Sequence, residues 1–180
     1  IASRCAKLLE GQNLTETYPD DGGLFREAAE ASERIAEAYE NCDTNSALRE
    51  IMQLADKANQ YIDAKQPWVL KKDPARLAEV REICSVGLNL FRQLAIYLAP
   101  VLPRIAQQTG ELVGVPISHW SDAQTPVLGQ AVRPYTHLMK RVDAKKVNAM
   151  IEESKPAESL QPAAVSGQPG SPADAAGGAA

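Results

Sequence analysis

The segment with the clearest chemical content is residues 59–72, NQYIDAKQPWVLKK, in which a tryptophan stands among lysines. Pro67 has a fixed backbone dihedral and stiffens the chain directly before Trp68. Three lysines surround this pair with no acidic residue between the first and the last of them: Lys65, Lys71 and Lys72. An aromatic face that stacks on an unpaired base, beside cations that contact phosphates, is typical of single-stranded nucleic-acid binding.

A structural role is the alternative for each tryptophan. In an arbitrary helical protein, a tryptophan at the position of Trp68 is more often a core residue that plugs the end of the bundle, and the lysines near it only increase solubility. Trp120 follows Ser118 and His119 in a loop without basic neighbours, so we expect it to pack against the bundle.

No pattern in the sequence predicts catalysis or metal binding. His119 and His137 have no carboxylate partner at helical spacing, which favours surface or cap-forming roles over a ligand pair. Evenly spaced glutamates at 27–40 fit the solvated face of an amphipathic helix better than an acid–base pair. We therefore expect neither catalytic residues nor a metal site in this chain.

Helices must position the tryptophan and the lysines, because apolar residues recur at three- and four-residue steps and no alternating strand pattern occurs. The predicted helices are residues 1–9, residues 24–39, a stretch from a cap at Asn45 or Ser46 to Pro67, residues 73–98, residues 104–112, and a last helix of about ten residues capped by Asp143. In the third of these, the predicted buried stripe is Leu48, Ile51, Met52, Ala55, Ala58, Asn59 and Ile62. The fold class is therefore all-α, an antiparallel helix bundle with short connections.

Composition sets the domain organisation and the cellular context. A chain of 180 residues fits one domain, which we place at 1–155, and an Ala/Pro/Gly/Ser-rich stretch at 156–180 that predicts a flexible, disordered linker. A chain that begins inside a helical pattern and ends in such a linker is expected to be a piece of a longer protein. Three widely spaced cysteines favour a reducing cytoplasm, and no export signal or membrane-spanning stretch is evident. The net charge of −4 argues against a broad surface that coats nucleic acids, DNA included, so any RNA contact must be local.

Several stretches in one order also carry a family resemblance. They are IASR at 1–4, NQYI at 59–62, Pro67-Trp68, ICSVGLNLFR at 83–92, YLAPVLP at 97–103, PVLG at 126–129 and KRVD at 140–143. Together they closely resemble the anticodon-binding region of bacterial methionyl-tRNA synthetases, over about residues 1 to 155. The family's fold in this region is a helix bundle, and residues 143–155 look like the segment that folds back toward the catalytic domain.

The resemblance implies roles for particular residues. Trp68 matches the family's tryptophan that stacks on the first base of the CAU anticodon of methionine tRNA, and Pro67 fixes its presentation. Arg4 matches the arginine on the first helix that helps to hold the anticodon loop. Asn59 and Tyr61 match positions near the same site, where base contact and buttressing of the helix end both remain open. Lys65, Lys71 and Lys72 would contact phosphates.

The resemblance also implies what the parent protein does. It would be an ATP-dependent methionine–tRNA ligase whose ATP, Mg²⁺ and Zn²⁺ sites all belong to an upstream catalytic domain, so this piece alone would have no enzymatic activity and no cofactor. Its partners would be methionine tRNA and its own catalytic domain. Some bacterial members continue past such a linker into a dimer-forming domain, which makes a parent homodimer plausible. The alternative function is a non-catalytic bundle with a structural or protein-docking role, in which Trp68 is buried.

Overall fold

The computed structural model describes residues 1–138 and 143–154. Its regular structure in these ranges is helical, with α-helices at Ala2–Leu8 (α1), Leu24–Glu30 (α2), Ser32–Glu40 (α3), Thr44–Lys65 (α4), Pro67–Leu70 (α5), Leu77–Leu98 (α6), Pro103–Val113 (α7) and Ala144–Ser154 (α8). Short 3₁₀ segments lie at Pro74–Arg76 and Trp120–Gln124, and an isolated bridge joins Asn13 to Ala131. The predicted all-α bundle is confirmed. The linker predicted at 156–180, residue 155 and part of the KRVD stretch lie outside the described residues.

The chain forms two compact units, of which the first contains residues 1–138 and the second contains α8. Helix α6 is the centre of the first unit, because α1, α2, α4, α5 and α7 all contact it. It is buried around nearly its whole circumference from Ile83 to Tyr97, and three of its buried polar residues, Asn89, Arg92 and Gln93, bond to the segment after α7. Asn89 accepts a hydrogen bond from the Val127 backbone N (2.6 Å) and donates one to the Val127 carbonyl (3.1 Å). Arg92 Nη1 donates to the carbonyl of Asp122 (2.7 Å). Polar side chains thus hold this loop on α6.

The stretch predicted as one helix over 24–39 is divided into α2 and α3 at Ala31, where the backbone keeps a right-handed helical conformation (φ −70°). The side-chain amide of Gln124 bonds to both sides of this division. Its Nε2 donates to the Ala29 carbonyl (3.1 Å) and to the Ser32 hydroxyl (3.0 Å), so it satisfies a carbonyl at the end of α2 from outside the helix. The prediction of a single helix was wrong at this point.

Helix α4 differs from its prediction at its start and along its buried face. Its N-cap is Asp43, whose carboxylate accepts from the Ser46 backbone N (3.1 Å), so the predicted caps Asn45 and Ser46 were wrong. The residues that α4 buries are Ala47, Ile51, Ala58 and Ile62. Met52 and Asn59 of the predicted stripe are exposed, because they lie at its flank and no neighbouring helix covers them.

The second unit of the chain contains α8. Asp143 accepts a hydrogen bond from the Lys145 backbone N (2.9 Å), which confirms the predicted cap. The apolar residues of this helix are largely uncovered, since Met150 is 63% and Ile151 46% exposed. Among the helices of residues 1–138 and 143–154, none combines the length and apolarity that a bilayer span needs.

Candidate functional site

Helix α1 lies very close to α6, and this approach positions the side chains on its outer face. Ala2, Cys5 and Ala6 are buried, whereas Arg4 points to solvent. Gly87 permits the contact, because a β-carbon at this position would lie only 2.8 Å from Cys5 Sγ. Cys5 and Cys84 form no disulfide, and their thiols share a hydrogen bond. This hydrogen bond, together with burial, raises the pKa of Cys84.

Arg4 joins α1 to the two helices that precede and contain Trp68. Its Nη1 donates to Asp63 Oδ1 on α4 at 3.1 Å, and its Cζ lies 5.0 Å from the centroid of the Trp68 ring. Both members of the Arg4–Asp63 pair are more than 60% exposed as side chains (62% and 64%), so water screens the pair strongly. The pair orients the guanidinium over the indole more than it stabilises the fold. Asp63 lies 59 residues from Arg4, and sequence reasoning missed it.

The turn between α4 and α5 presents Trp68 as the sequence predicted. Gln66 adopts a left-handed backbone conformation with a φ of 46°, and Pro67 then begins α5 and is buried. Trp68 is 36% exposed and the next residue, Val69, is 45% exposed. The alternative in which the indole is sealed inside the bundle is therefore wrong.

The three lysines have different surroundings. Lys65 Nζ lies 5.9 Å from the centroid of the Tyr61 ring, which is a weak cation–π contact. Lys71 Nζ lies 3.5 Å from the carbonyl oxygen of Leu8, at the C-terminal end of α1. Lys72 is exposed. The structure thus brings Lys71 to the same pair of helices as Arg4 and Trp68.

Asn59 and Tyr61 lie on the last two turns of α4, before the turn that leads to Trp68. Asn59 is exposed four residues before Asp63, a spacing that places both side chains on one face of the helix. Tyr61 is half-buried, and burial followed by the nearby Asp21 and Asp20 carboxylates raises its pKa to about 12. Tyr61 is therefore a neutral hydroxyl at physiological pH.

The histidines and Trp120 have the structural surroundings that the sequence predicted. His119 and Asp122 form a reciprocal cap at the start of the 3₁₀ segment. Trp120 packs on Tyr97, with the ring centroids 5.1 Å apart, and His137 stands edge-on to Tyr135. In the parts of the chain that the structure describes, no cluster of three or more His, Cys, Asp or Glu side chains has the arrangement of a metal site.

Comparison with known proteins decides the family. A family model described as the anticodon-binding domain of tRNA ligase matches residues 21–158. The chain belongs to this family. The exposed indole of Trp68 thus belongs to an anticodon-binding domain. The family relationship predicted from the sequence is confirmed.

Individual relatives of the anticodon-binding domain are methionine–tRNA ligases. Methionine–tRNA ligase 1 of Sorangium cellulosum is 48% identical over 158 residues, which cover 88% of this chain and 23% of the relative. Methionine–tRNA ligase of Rhodopirellula baltica is 46% identical over 155 residues, which cover 86% and 23%. The Mycobacterium tuberculosis methionyl-tRNA synthetase in complex with methionyl-adenylate superposes with a TM-score of 0.67 at 28% identity, over 78% of this chain and 30% of that one. The chain therefore spans about a quarter of the length of the relatives it matches.

Proposed function

We propose that this domain recognises the CAU anticodon of methionine tRNA as part of an ATP-dependent methionine–tRNA ligase of the cytoplasm. The family and its methionine–tRNA ligase relatives support the ligase. The observation that carries the mode of recognition is the partly exposed indole of Trp68 with the Arg4 guanidinium over its ring. Catalysis, with ATP, Mg²⁺ and Zn²⁺, would belong to a separate catalytic domain, against which residues 143–155 pack. The residues at 156–180 would act as a linker, and the parent would form a homodimer.

Stacking supplies the first part of the proposed recognition. The left-handed Gln66 and the buried Pro67 fix the direction in which Trp68 leaves the end of α4. A rigid aromatic side chain loses little conformational entropy when a base binds, so most of the stacking energy is retained. Stacking alone does not select cytosine, because every base has an aromatic face.

Arg4 supplies the selectivity in this proposal. Asp63 engages Nη1, which leaves further N–H donors of the guanidinium for another acceptor. A base that stacks on Trp68 lies within reach of these donors. On its Watson–Crick edge cytosine presents two adjacent acceptors, O2 and N3, whereas uracil carries a hydrogen on N3 and guanine carries hydrogens on N1 and N2. Arg4 thus favours cytosine over uracil and guanine at this edge, and the exposed Asn59 amide adds a polar group one helical turn before Asp63.

Cations then hold the loop backbone. Lys65 ends α4, and Lys71 and Lys72 lie in the turn after α5, where they can contact phosphates on either side of the stacked base. Their contribution is electrostatic and should decrease as the salt concentration rises. The rest of the acidic surface would not attract RNA, so binding concentrates at this site.

The test is a comparison of stem-loop RNAs that differ only in the anticodon. Affinity for CAU, GAU and UAU loops is measured by fluorescence anisotropy of labelled RNA with the 180-residue chain. We expect CAU to bind at least tenfold more tightly than either of the others, and Arg4→Gln to reduce this preference more than Arg104→Gln, a change at an exposed arginine on α7. Equal affinity for the three loops would refute the proposal.

A further inference from the structure

Helix α1 carries a second exposed cation that the family relationship and the sequence motifs do not single out. Lys7 follows Arg4 by three residues, a spacing that makes the two side chains neighbours on the surface of a helix. It lies in the last turn of α1 and is exposed. Within residues 1–138, Lys7 has neither an ion-pair partner nor a hydrogen-bond partner for its ammonium group. Its charge is therefore available to a ligand.

The end of α1 is also the point that Lys71 reaches. Lys71 Nζ lies 3.5 Å from the carbonyl of Leu8, the residue directly after Lys7. The contact ties the turn after Trp68 to the end of α1, and it places the ammonium group of Lys71 beside the segment that carries Lys7. Arg4, Lys7 and Lys71 thus form one cationic edge that begins at the indole; we call it the α1 edge.

Two cations of this edge have no carboxylate partner. Asp63 pairs with Arg4, and Glu79 pairs with Arg76. Neither Lys7 nor Lys71 forms an ion pair within residues 1–138. Two unpaired ammonium groups beside the indole, in a chain with a net charge of −4, suit a local contact with a phosphate.

We infer that Lys7 binds a phosphate of the RNA strand where the strand passes from the base on Trp68 along α1. The inference rests on the proposed function, since it extends the path of the same RNA. Lys71 then has two roles, because its contact with the Leu8 carbonyl holds α1 against the turn and its positive charge faces the RNA strand. Lys7 instead has no hydrogen bond or ion pair to lose within residues 1–138, so we expect its replacement to leave the fold intact.

The salt dependence of RNA binding tests this inference. Lys7→Ala is compared with the unaltered chain for binding of the CAU stem-loop at several salt concentrations. Log affinity falls as log salt rises, and the loss of one phosphate contact on a single strand makes this fall less steep by about 0.7. The corresponding loss of affinity is about fivefold at about 0.1 M salt, with little change near 1 M. Lys7→Arg should restore both values. The matched control is Lys57→Ala, which removes the same charge from α4, where Lys57 pairs with Glu27.

Each outcome separates the two ideas. If the unaltered chain prefers CAU to GAU but Lys7→Ala keeps its full slope, the inference about Lys7 fails and the proposed function stands. If Lys57→Ala lowers the slope as much as Lys7→Ala, the effect is one of overall charge and the inference also fails. If the unaltered chain shows no preference for CAU, the proposed function fails, whatever the slope of the Lys7 variant.

Discussion

Replacement of Trp68 by alanine changes two quantities that the structure lets us separate. Trp68 is 36% exposed, so roughly two thirds of its surface is covered, and a fully packed tryptophan costs about 3 to 5 kcal/mol when truncated. Scaled by its coverage, Trp68→Ala should lower the free energy of unfolding by about 2 to 3 kcal/mol. Domains of this kind have about 5 to 15 kcal/mol of stability, so the variant stays folded. The lost base stacking should cost a further 1 to 3 kcal/mol in binding, or about 5- to 150-fold in affinity.

Calorimetric titration of the CAU stem-loop into each variant measures the binding loss, and urea denaturation measures the loss of stability. Trp68→Phe keeps an aromatic face and should recover most of the affinity. Val69→Ala is the matched control, because Val69 is the exposed neighbour of Trp68 and has no aromatic face. If Trp68→Ala is folded and binds the CAU loop as tightly as the unaltered chain, the indole is not the stacking surface and our account of recognition is wrong.

Three further predictions concern the framework that holds the site. Gly87→Ala would place a β-carbon 2.8 Å from both Cys5 Sγ and Ile62 Cδ1, so we expect a loss of about 1 to 3 kcal/mol in urea denaturation, with weaker RNA binding because α1 carries Arg4; unchanged stability would contradict the close approach of α1 and α6. Asn89→Ala leaves the buried Val127 N–H without an acceptor and should cost about 1 to 3 kcal/mol, whereas Gln107→Ala on the surface should cost little. Hydrogen bonds from the His119 and Ser118 backbone N–H groups hold the pKa of Asp122 below its ordinary value of 3.8. The ionised carboxylate therefore stabilises the fold above pH 3.8, and this contribution is lost as the pH falls through the lower pKa of the folded state. In Asp122→Asn the free energy of unfolding should fall less steeply at acidic pH than in the unaltered chain, and the same steepness in both would argue against these bonds.

Local chemistry made the course of the chain around Trp68 predictable. Pro67 cannot continue α4, and Asp73-Pro74 caps and opens the next turn, as the hydrogen bond from the Ala75 backbone N to Asp73 confirms. The division at Ala31 was not predictable in this way, because the Gln124 amide that bonds to both sides of it comes from a loop more than 90 residues later (95 residues from Ala29). The helical periodicity of the sequence likewise predicts that polar residues face solvent. Asn89 and Arg92 are buried instead, because they form hydrogen bonds with a loop that is distant in sequence.

The candidate site shows the same division between local and long-range information. The aromatic and basic composition of 59–72 identified Trp68 and its lysines, and the family resemblance added Arg4. Neither identified Asp63 as the partner of Arg4, nor the contact between Lys71 and Leu8. Both contacts arise only when α1 packs against α6 at Gly87, and no local pattern encodes that packing. The roles of the site residues in RNA binding stay predictions.

Emission from Trp68 alone tests the central claim most directly. In a Trp120→Phe chain, whose fold is checked by circular dichroism, Trp68 is the single tryptophan. We predict that a CAU stem-loop quenches or shifts its emission at concentrations where a GAU stem-loop leaves it unchanged. The same response to both loops, or no response to either, would contradict the claim that the indole of Trp68 receives the first anticodon base.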